Sequence, residues 1–190
     1  MPAIRRYWTA SAVRELQNNT WPRYELIDGE LLVTPSAIPA HQGFAFELAI
    51  QLNPYTEKQS IGITLLPPAD IELREESIVQ PDVFVLPPDD RALMDMKWRD
   101  FRSLVLAVEV LSPSTARDDR TRKRDLYMDN NVAEYWIVDL DGRMVERWFP
   151  GRENPILETS AFEWRPAGSA EPLTIDLPAL FDRVRLPRRI

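Results

Sequence analysis

The stretch SLVLAVEVLSPS, residues 103–114, decides the fold of this chain. Its segment LVLAVEVL is apolar on both faces, which is typical of a central strand that other elements cover on both sides. Glu109 is the one charged residue in this run. A buried carboxylate costs roughly 2–7 kcal/mol or more of transfer free energy unless a partner compensates it. The stretch therefore predicts a core strand whose acid has either a binding function or a buried partner.

An apolar strand with a single acid precedes this stretch, and a basic helix follows it. The segment IVQPDVFVL, residues 78–86, carries Asp82, and TARDDRTRKRDLYMDN, residues 115–130, carries Lys123. Two carboxylates on neighbouring strands can hold a divalent cation, and a nearby ammonium can orient water or stabilise negative charge. We therefore predict a divalent-metal site at Asp82 and Glu109, with Lys123 beside it. Structural interpretations stay open, since a strand-end acid can bond a backbone amide and most helix lysines are solvated.

The rest of the chain contains the signals of hairpins and short helices. Hairpins are predicted at Asp28-Gly29 and Asp141-Gly142, because such dipeptides favour tight turns. Helices are predicted at residues 9–19, from near His41 to Tyr55, at residues 115–130, and as one turn in LPALFDRV near the C-terminus. This order of elements predicts one α/β or α+β domain over residues 1–190, with a mixed β-sheet flanked by helices.

Composition excludes several classes of site. The chain has 190 residues, no cysteine and one histidine, His41, so disulfides, thiolate sites and multi-histidine zinc sites are excluded. A metal would be held mainly by oxygen ligands, which favours Mg²⁺ or Mn²⁺. Neither a GxGxxG nor a Walker-type phosphate loop occurs, so we expect no nucleotide cofactor.

Charge and hydropathy bound the partners and the location. The chain is 44% hydrophobic and 28% charged, which indicates a soluble globular protein. Its net charge of −7 argues against non-specific coating of nucleic acid, although it leaves a local basic cleft open. No run approaches the roughly 18 apolar residues of a membrane span, and the N-terminus lacks the apolar core of a signal peptide. We therefore expect no membrane contact and a cytoplasmic location.

Several pieces of the sequence together carry a family resemblance. They are YELIDGELL (24–32), a helix that opens at His41, QPDVFVL (80–86), VEVLSPST (108–115) and VAEYWIVD (132–139). In this order and spacing they resemble the Uma-two family of endonucleases, which has the restriction-endonuclease-like fold of the PD-(D/E)XK superfamily. The resemblance spans roughly residues 20–148. It implies a mixed sheet flanked by helices and metal-dependent cleavage of phosphodiester bonds in DNA.

The resemblance also implies roles for particular residues. Asp82 is similar to the aspartate of the PD motif, and Glu109 is similar to the acid of the (D/E)XK motif. The lysine of that motif would fall at position 111, where this chain has Leu111. The resemblance therefore implies that Lys123, on the following helix, replaces it. Asp82, Glu109 and Lys123 are accordingly the expected catalytic residues.

The resemblance further implies that an acid from the N-terminal region joins the metal ligands Asp82 and Glu109. Because Glu30 begins its strand, we favour it over Glu25 as this ligand. His41 and Asp118 are further candidates near the cleft. The resemblance also implies a homodimer, since two active sites address the two strands of DNA.

Three hypotheses of different kinds follow from these residues. The first is a Mg²⁺-dependent nuclease that acts on DNA. The second is a catalytically inactive binding or regulatory module on the same fold, which the acidic charge and Leu111 favour. The third is a structural protein in which Asp82, Glu109 and Lys123 form a buried ion network without metal. Self-association is expected to use aromatic residues predicted to be exposed and an edge strand at 143–149; these aromatics are Trp8, Trp98, Trp148 and Trp164.

Overall fold

The fold is a mixed arrangement of short strands and five helices in the part of the chain that the structure describes. A computed structural model describes residues 7–16, 23–34, 37–89 and 91–185. The helices are α1 (Ala10–Leu16), α2 (Pro39–Gln59), α3 (Ala116–Asp118), α4 (Arg124–Asp129) and α5 (Leu177–Arg185). A π-helical turn, Asp119–Lys123, joins α3 to α4, so that residues 116–129 form one continuous helical segment.

The strands are β1 (Arg23–Ile27), β2 (Glu30–Thr34), β3 (Ile63–Leu65), β4 (Ile71–Arg74), β5 (Ser77–Val79), β6 (Val83–Leu86), β7 (Leu106–Val110), β8 (Tyr135–Asp139), β9 (Met144–Trp148), β10 (Ile156–Glu158), β11 (Ala161–Trp164) and β12 (Leu173–Asp176). Short 3₁₀ turns lie at Leu93–Asp95 and Trp98–Asp100.

The strands form a six-stranded sheet, a four-stranded sheet and a separate pair. The six-stranded sheet has the order β10-β9-β8-β7-β6-β3, and all its neighbours are antiparallel except the parallel pair β7 and β8. The four-stranded sheet has the order β2-β1-β5-β4 and is antiparallel throughout. Strands β11 and β12 pair with each other. The predicted mixed sheet flanked by helices is therefore confirmed.

Two hydrophobic clusters cover the two faces of the six-stranded sheet. On one face α2 and α5 pack against the sheet, and side chains such as Phe44, Val108 and Trp136 meet there. On the other face the helical segment and the four-stranded sheet pack against it, through side chains such as Ala107 and Tyr127. Strand β7 is buried along its whole length, as predicted for a central strand. Since side chains alternate along a strand, Glu109 lies on the same face as Ala107.

Both predicted hairpins are present. Strands β1 and β2 pair so that Leu26 faces Leu31 and Ile27 faces Glu30, which leaves a two-residue turn at Asp28 and Gly29. Both turn residues have positive φ, 51° and 76°, the geometry of a type I′ turn, which favours glycine at its second position. The hairpin β8–β9 likewise encloses Asp141-Gly142.

The predicted strand at 78–86 is wrong in one respect, because it is two strands in different sheets. β5 ends at Val79 in the four-stranded sheet, and β6 begins at Val83 in the six-stranded sheet. The break falls at Gln80, Pro81 and Asp82, where Pro81 has no N–H to donate to a strand ladder. The chain crosses from one sheet to the other at this point, and Asp82 lies at the crossing.

Two predictions for the described residues after 142 are wrong. Trp148 and Trp164 were expected on the surface, but they are buried, and Trp164 packs against Trp136 and Tyr55. The strand expected at 143–149 is present as β9, but its expected position at the edge of the sheet is wrong, because β10 pairs with it. The homodimer itself stays a prediction.

The helix predictions hold in position and differ in length. The helix predicted at 9–19 is α1, residues 10–16, and its last predicted residues lie outside the described part of the chain. The single turn predicted in LPALFDRV is the nine-residue helix α5. Among the described residues, no helix is both long enough and apolar enough to cross a membrane.

Candidate active site

Asp82 and Glu109 lie opposite each other at one end of the six-stranded sheet. Strands β6 and β7 are antiparallel, and Val83 pairs with Val108. Extending this register by one residue sets Asp82 across from Glu109, and directly opposed residues of an antiparallel pair project to the same face. The Asp82 N–H donates to the Val108 carbonyl at 2.9 Å, which continues the ladder as far as Asp82. Pairing of the strands thus brings together two acids that are 27 residues apart in sequence.

Asp82 is buried among groups that stabilise its ionised form. Its Oδ2 accepts a hydrogen bond of 2.9 Å from the Val110 N–H and lies 3.1 Å from Nε2 of His41. An Arg23 guanidinium nitrogen lies 3.5 Å from Oδ1. Burial by itself would raise the pKa of Asp82, but the hydrogen bonds and charges of these partners outweigh it and lower the pKa below its ordinary value. Asp82 is therefore a carboxylate at neutral pH.

Glu109 has the opposite electrostatic situation. Its Oε1 accepts hydrogen bonds from Lys123 Nζ at 3.1 Å and from the Tyr127 hydroxyl at 2.9 Å. Burial raises the pKa of Glu109 well above its ordinary value, and Lys123 opposes this rise, whereas the neighbouring acids Asp82 and Glu25 add to it. The ionised form of Glu109 is therefore disfavoured by burial, and an added cation would stabilise it.

The π-helical turn brings Lys123 to the end of the sheet. A π turn adds one residue to the helical repeat, and such turns are frequent at functional sites. Within it both Asp119 and Lys123 are buried, and Asp119 Oδ1 lies 3.3 Å from Lys123 Nζ. Lys123 Nζ also lies 2.9 Å from Glu25 Oε2, in addition to its bond with Glu109. Burial opposes the charged form of Lys123, but the three carboxylates outweigh burial and raise its pKa well above the ordinary value.

Of the two N-terminal acids considered, the structure brings Glu25 into this cluster. Glu25 lies on β1, is buried, and accepts a hydrogen bond of 2.9 Å from the Gln80 N–H. Glu30, which we favoured from sequence, is half-buried at the start of β2 and forms an ion pair of 3.0 Å with Arg122. Asp118 also pairs with Arg122, at 3.5 Å. The geometry therefore corrects the preference for Glu30, and Asp118 lies outside the cluster.

A pocket of about 470 Å³ opens over these residues. Its wall includes Glu25, Asp82, Glu109 and Lys123 together with His41. Further wall residues come from the loop after β7 and from the β8–β9 turn; they are residues 110–116 and 139–141. A concave site with convergent polar groups and perturbed pKa values is the usual form of an active or binding site.

Comparisons with known proteins identify the family of the chain and a shared fold. A model of the Uma2 family, described as "Putative restriction endonuclease", matches residues 10–180. The chain belongs to the Uma2 family. This membership supports a nuclease-like role. No curated protein is significantly similar to the chain.

A solved structure shares the fold of this Uma2 chain. It is a crystal structure described as "a putative nuclease belonging to DUF820" from Anabaena variabilis. The likeness has a TM-score of 0.68 at 20% sequence identity, and it covers 90% of this chain and 98% of the other. At this level of identity, the likeness shows a shared fold.

Position 111 of this Uma2 chain, where the PD-(D/E)XK pattern has its lysine, carries Leu111. Leu111 packs against the cluster that includes Ala107, on the face that also bears Glu109. The ammonium group beside Glu109 comes instead from Lys123, fourteen residues later. The structure therefore brings Asp82, Glu109 and Lys123 together, as the sequence predicted. Their catalytic and metal-binding roles stay predictions.

Sequence reasoning missed several residues of the pocket. Arg23 and Gln80 line the pocket and were not considered, and Asp119, which lies beside Lys123, was not among the predicted site residues. Gln80 Nε2 donates to Asp70 at 2.9 Å, and its buried Oε1 has no hydrogen-bond partner among the described residues. Tyr127, whose hydroxyl donates a hydrogen bond to Glu109, was likewise not among the predicted site residues. The one available signal was adjacency, because Gln80 lies two residues before Asp82 in the QPD segment.

Proposed function

We propose that this Uma2 protein is a metal-dependent endonuclease that hydrolyses phosphodiester bonds in DNA at the pocket around Asp82 and Glu109. One observation carries the proposal. Two buried carboxylates stand opposite each other at a strand end and line one pocket, with a lysine ammonium 3.1 Å from one of them. Family membership supports the nuclease part of the proposal.

The donor set fits a hard divalent cation held by few protein ligands. Among the described residues, no group of three or more histidines and acids is arranged to hold a metal ion. Mg²⁺ commonly takes only one or two carboxylates from a protein and completes its coordination with water and substrate phosphate. Asp82 and Glu109 suit that pattern, and Mn²⁺ accepts the same ligands. Such an ion lowers the pKa of bound water and neutralises charge on the phosphate.

The chain's own residues supply the remaining electrostatics. Because its pKa is raised, Lys123 stays protonated at neutral pH, so it acts as a hydrogen-bond donor and positive charge and not as a base. Its charge stabilises the ionised form of Glu109. Arg23 lies on the pocket wall within 3.5 Å of Asp82, where it would attract a substrate phosphate. His41 orients Asp82 through its contact at Oδ2.

Cleavage assays with matched variants test the proposal. Supercoiled plasmid and linear DNA are incubated with the protein in Mg²⁺, in Mn²⁺ and in excess EDTA. We expect cleavage that needs a divalent ion and that is abolished by Asp82→Asn and by Glu109→Gln. Lys123→Met is expected to lower the rate by about 100-fold or more, as the loss of a transition-state charge contact does. Calorimetric titration of Mn²⁺ should show binding by wild type and none by the carboxylate variants.

The matched control is Glu134→Gln. Glu134 is as buried as Glu109 and is also bonded to a cation, because Arg147 Nε lies 2.5 Å from its Oε1, but it is not part of the pocket wall. Its variant should therefore lose stability without losing metal dependence or cleavage per folded molecule. Circular dichroism gives the folded fraction of every variant. Cleavage that persists in EDTA, or full rates in both carboxylate variants, would contradict the proposal.

A second candidate function rests on the ion pairs that Lys123 forms with three buried carboxylates. Its ammonium contacts three carboxylates within 3.3 Å, which is also what a buried ion network without metal would require. In that case the chain would be an inactive binding module on a nuclease fold. The same titration separates the two, since this alternative predicts no Mn²⁺ binding and no cleavage of any DNA.

A further inference from the structure

A second pocket of about 560 Å³ adjoins the candidate active site. The two pockets share three wall residues, Arg23, His41 and Asp82. Beyond these, the second pocket is mostly apolar, and its remaining wall residues are Gln42, Ala45, Phe46, Leu66, Pro67 and Pro68. Its volume falls within the range typical of small-molecule pockets, roughly 300–1,000 Å³. The second pocket is therefore large enough for an organic group that is attached to whatever occupies the first.

Two large apolar side chains in the wall of this pocket are exposed to solvent. Phe46 on α2 is 53% exposed, and Leu66, just after β3, is 37% exposed. The ring of Phe46 thus offers a free apolar surface beside the amide of Gln42, one helical turn earlier on α2. An aromatic face next to an amide suits a flat, partly polar ring, because the ring stacks while the amide bonds its edge.

The order of the chemistry from one pocket to the next matches a nucleotide. The first pocket has Glu25, Glu109 and Lys123, the junction has Arg23, His41 and Asp82, and the second pocket has mostly apolar walls. A nucleotide has the same order, with a charged phosphate at one end and an uncharged ring system at the other. At the junction the Arg23 guanidinium is complementary to a phosphate, and the ring of Phe46 in the second pocket is complementary to a base.

We propose that this second pocket binds a nucleobase of the substrate, stacked on Phe46, next to the phosphate that is cleaved. This inference rests on the proposed nuclease function and names its substrate class as DNA with an unpaired nucleotide, such as a single strand or a flap. In continuous duplex DNA both faces of each base are covered by its neighbours, so the base must be unstacked to meet a protein ring.

The net charge of the chain agrees with this substrate class. Duplex binding relies on many phosphate contacts and weakens steeply with salt, whereas a net charge of −7 provides few such contacts. Stacking of a base on an aromatic side chain is uncharged and does not need counterion release. Binding should therefore depend less on salt than is usual for a duplex-binding protein.

The test compares Phe46→Ala with Ile50→Ala. Ile50 lies one helical turn further along α2, is 50% exposed, and lies outside the second pocket, which makes it a matched surface control. Fluorescence anisotropy measures binding of a labelled single strand and of a blunt duplex of the same sequence, and cleavage of both is followed with Mg²⁺ and Mn²⁺. We expect wild type to prefer the single strand. Phe46→Ala should weaken single-strand binding by about 5- to 150-fold, the range for one stacked base. Ile50→Ala should bind as wild type does, and Phe46→Tyr should restore binding because it keeps the ring.

Each other result has a defined meaning. Unchanged single-strand affinity in Phe46→Ala overturns the base pocket, even if duplex cleavage supports the nuclease function. Single-strand binding that depends on Phe46 without any cleavage supports the pocket and overturns the proposed nuclease. If Phe46→Ala instead changes the sedimentation of the protein and not its DNA affinity, the face binds a second copy of the chain, and the base pocket is overturned.

Discussion

Replacing Lys123 by methionine tests whether its ammonium holds the buried acids together. Methionine keeps most of the length of the side chain and removes only its charge and its hydrogen-bond donors. In the folded protein this leaves Glu25, Glu109 and Asp119 close together without their shared cation, at the end of the sheet. All three acids are buried in the structure.

The expected loss of stability follows from this burial. Removing one partner of a buried ion pair costs about 3–5 kcal/mol, because it leaves uncompensated charge away from water. An exposed pair costs about 0–1 kcal/mol. Lys58 provides the matched control, since its Nζ lies 3.7 Å from Glu171 and both side chains are more than 70% exposed. We therefore expect Lys123→Met to lose several times more unfolding free energy at pH 8 than Lys58→Met.

The loss should shrink as the pH falls. Burial raises the pKa of Glu109 and of Asp119, and Lys123 lowers both, so its removal raises them further. Carboxyls with a raised folded pKa hold their protons in the fold at a pH where the unfolded chain, with pKa values near 4, has lost them. Lowering the pH from 8 towards 5 therefore stabilises the folded variant relative to its unfolded state.

Urea denaturation followed by tryptophan fluorescence measures both effects. Unfolding curves at pH 8 and near pH 5.5 give the free energy of unfolding of wild type, Lys123→Met and Lys58→Met. A loss in Lys123→Met equal to that in Lys58→Met would refute the reasoning, since it would mean that water solvates the cluster. A loss that does not change with pH would refute the assignment of raised pKa values to the acids.

Three further predictions concern the fold. Gly62 has φ 147°, and a Cβ there would collide with the backbone of β6, so Gly62→Ala should lower the free energy of unfolding in urea by more than about 2 kcal/mol. Gly151 has φ 78° and open space around it, so Gly151→Ala should lower it by about 1 kcal/mol. Burial raises the pKa of Tyr127 and of Tyr135 well above the ordinary value of 10. Above about pH 10 the unfolded chain therefore loses protons that the folded chain keeps, and the free energy of unfolding should fall by up to roughly 1.4 kcal/mol per pH unit for each tyrosine. Urea curves between pH 8 and 11 would show a smaller slope in Tyr135→Phe; an equal slope would contradict this. Trp164→Ala should cost about 3–5 kcal/mol by thermal denaturation, because the side chain is fully buried against two other rings.

The elements that depend on neighbouring residues were predictable. The hairpin at Asp28-Gly29 follows from the turn residues themselves, and the buried strand β7 follows from its unbroken apolar run. Elements that depend on distant partners were not. The sequence around β9 does not indicate that β10 pairs with its edge, and the sequence around Trp164 does not indicate which rings bury it.

The candidate site was likewise predictable only where it depends on neighbouring residues. The burial cost of a lone acid in an apolar strand singled out Asp82 and Glu109 from sequence, and strand pairing then set them opposite each other. The choice between Glu25 and Glu30 could not be made, because both lie on the same face of one hairpin. What separates them is the residue of the helical segment that each one meets: Glu25 pairs with the buried Lys123, and Glu30 pairs with the half-buried Arg122.

The sequence by itself therefore determined which residues were candidates for the site, because a single acid in an apolar run can be recognised from its neighbours in the chain. Only the tertiary structure decided which charges meet. The rotation of the helical segment buries Asp119, and not Asp118, beside Lys123. Such a rotation depends on how the helix packs on two sheets, and that packing is the sum of contacts between residues far apart in the chain.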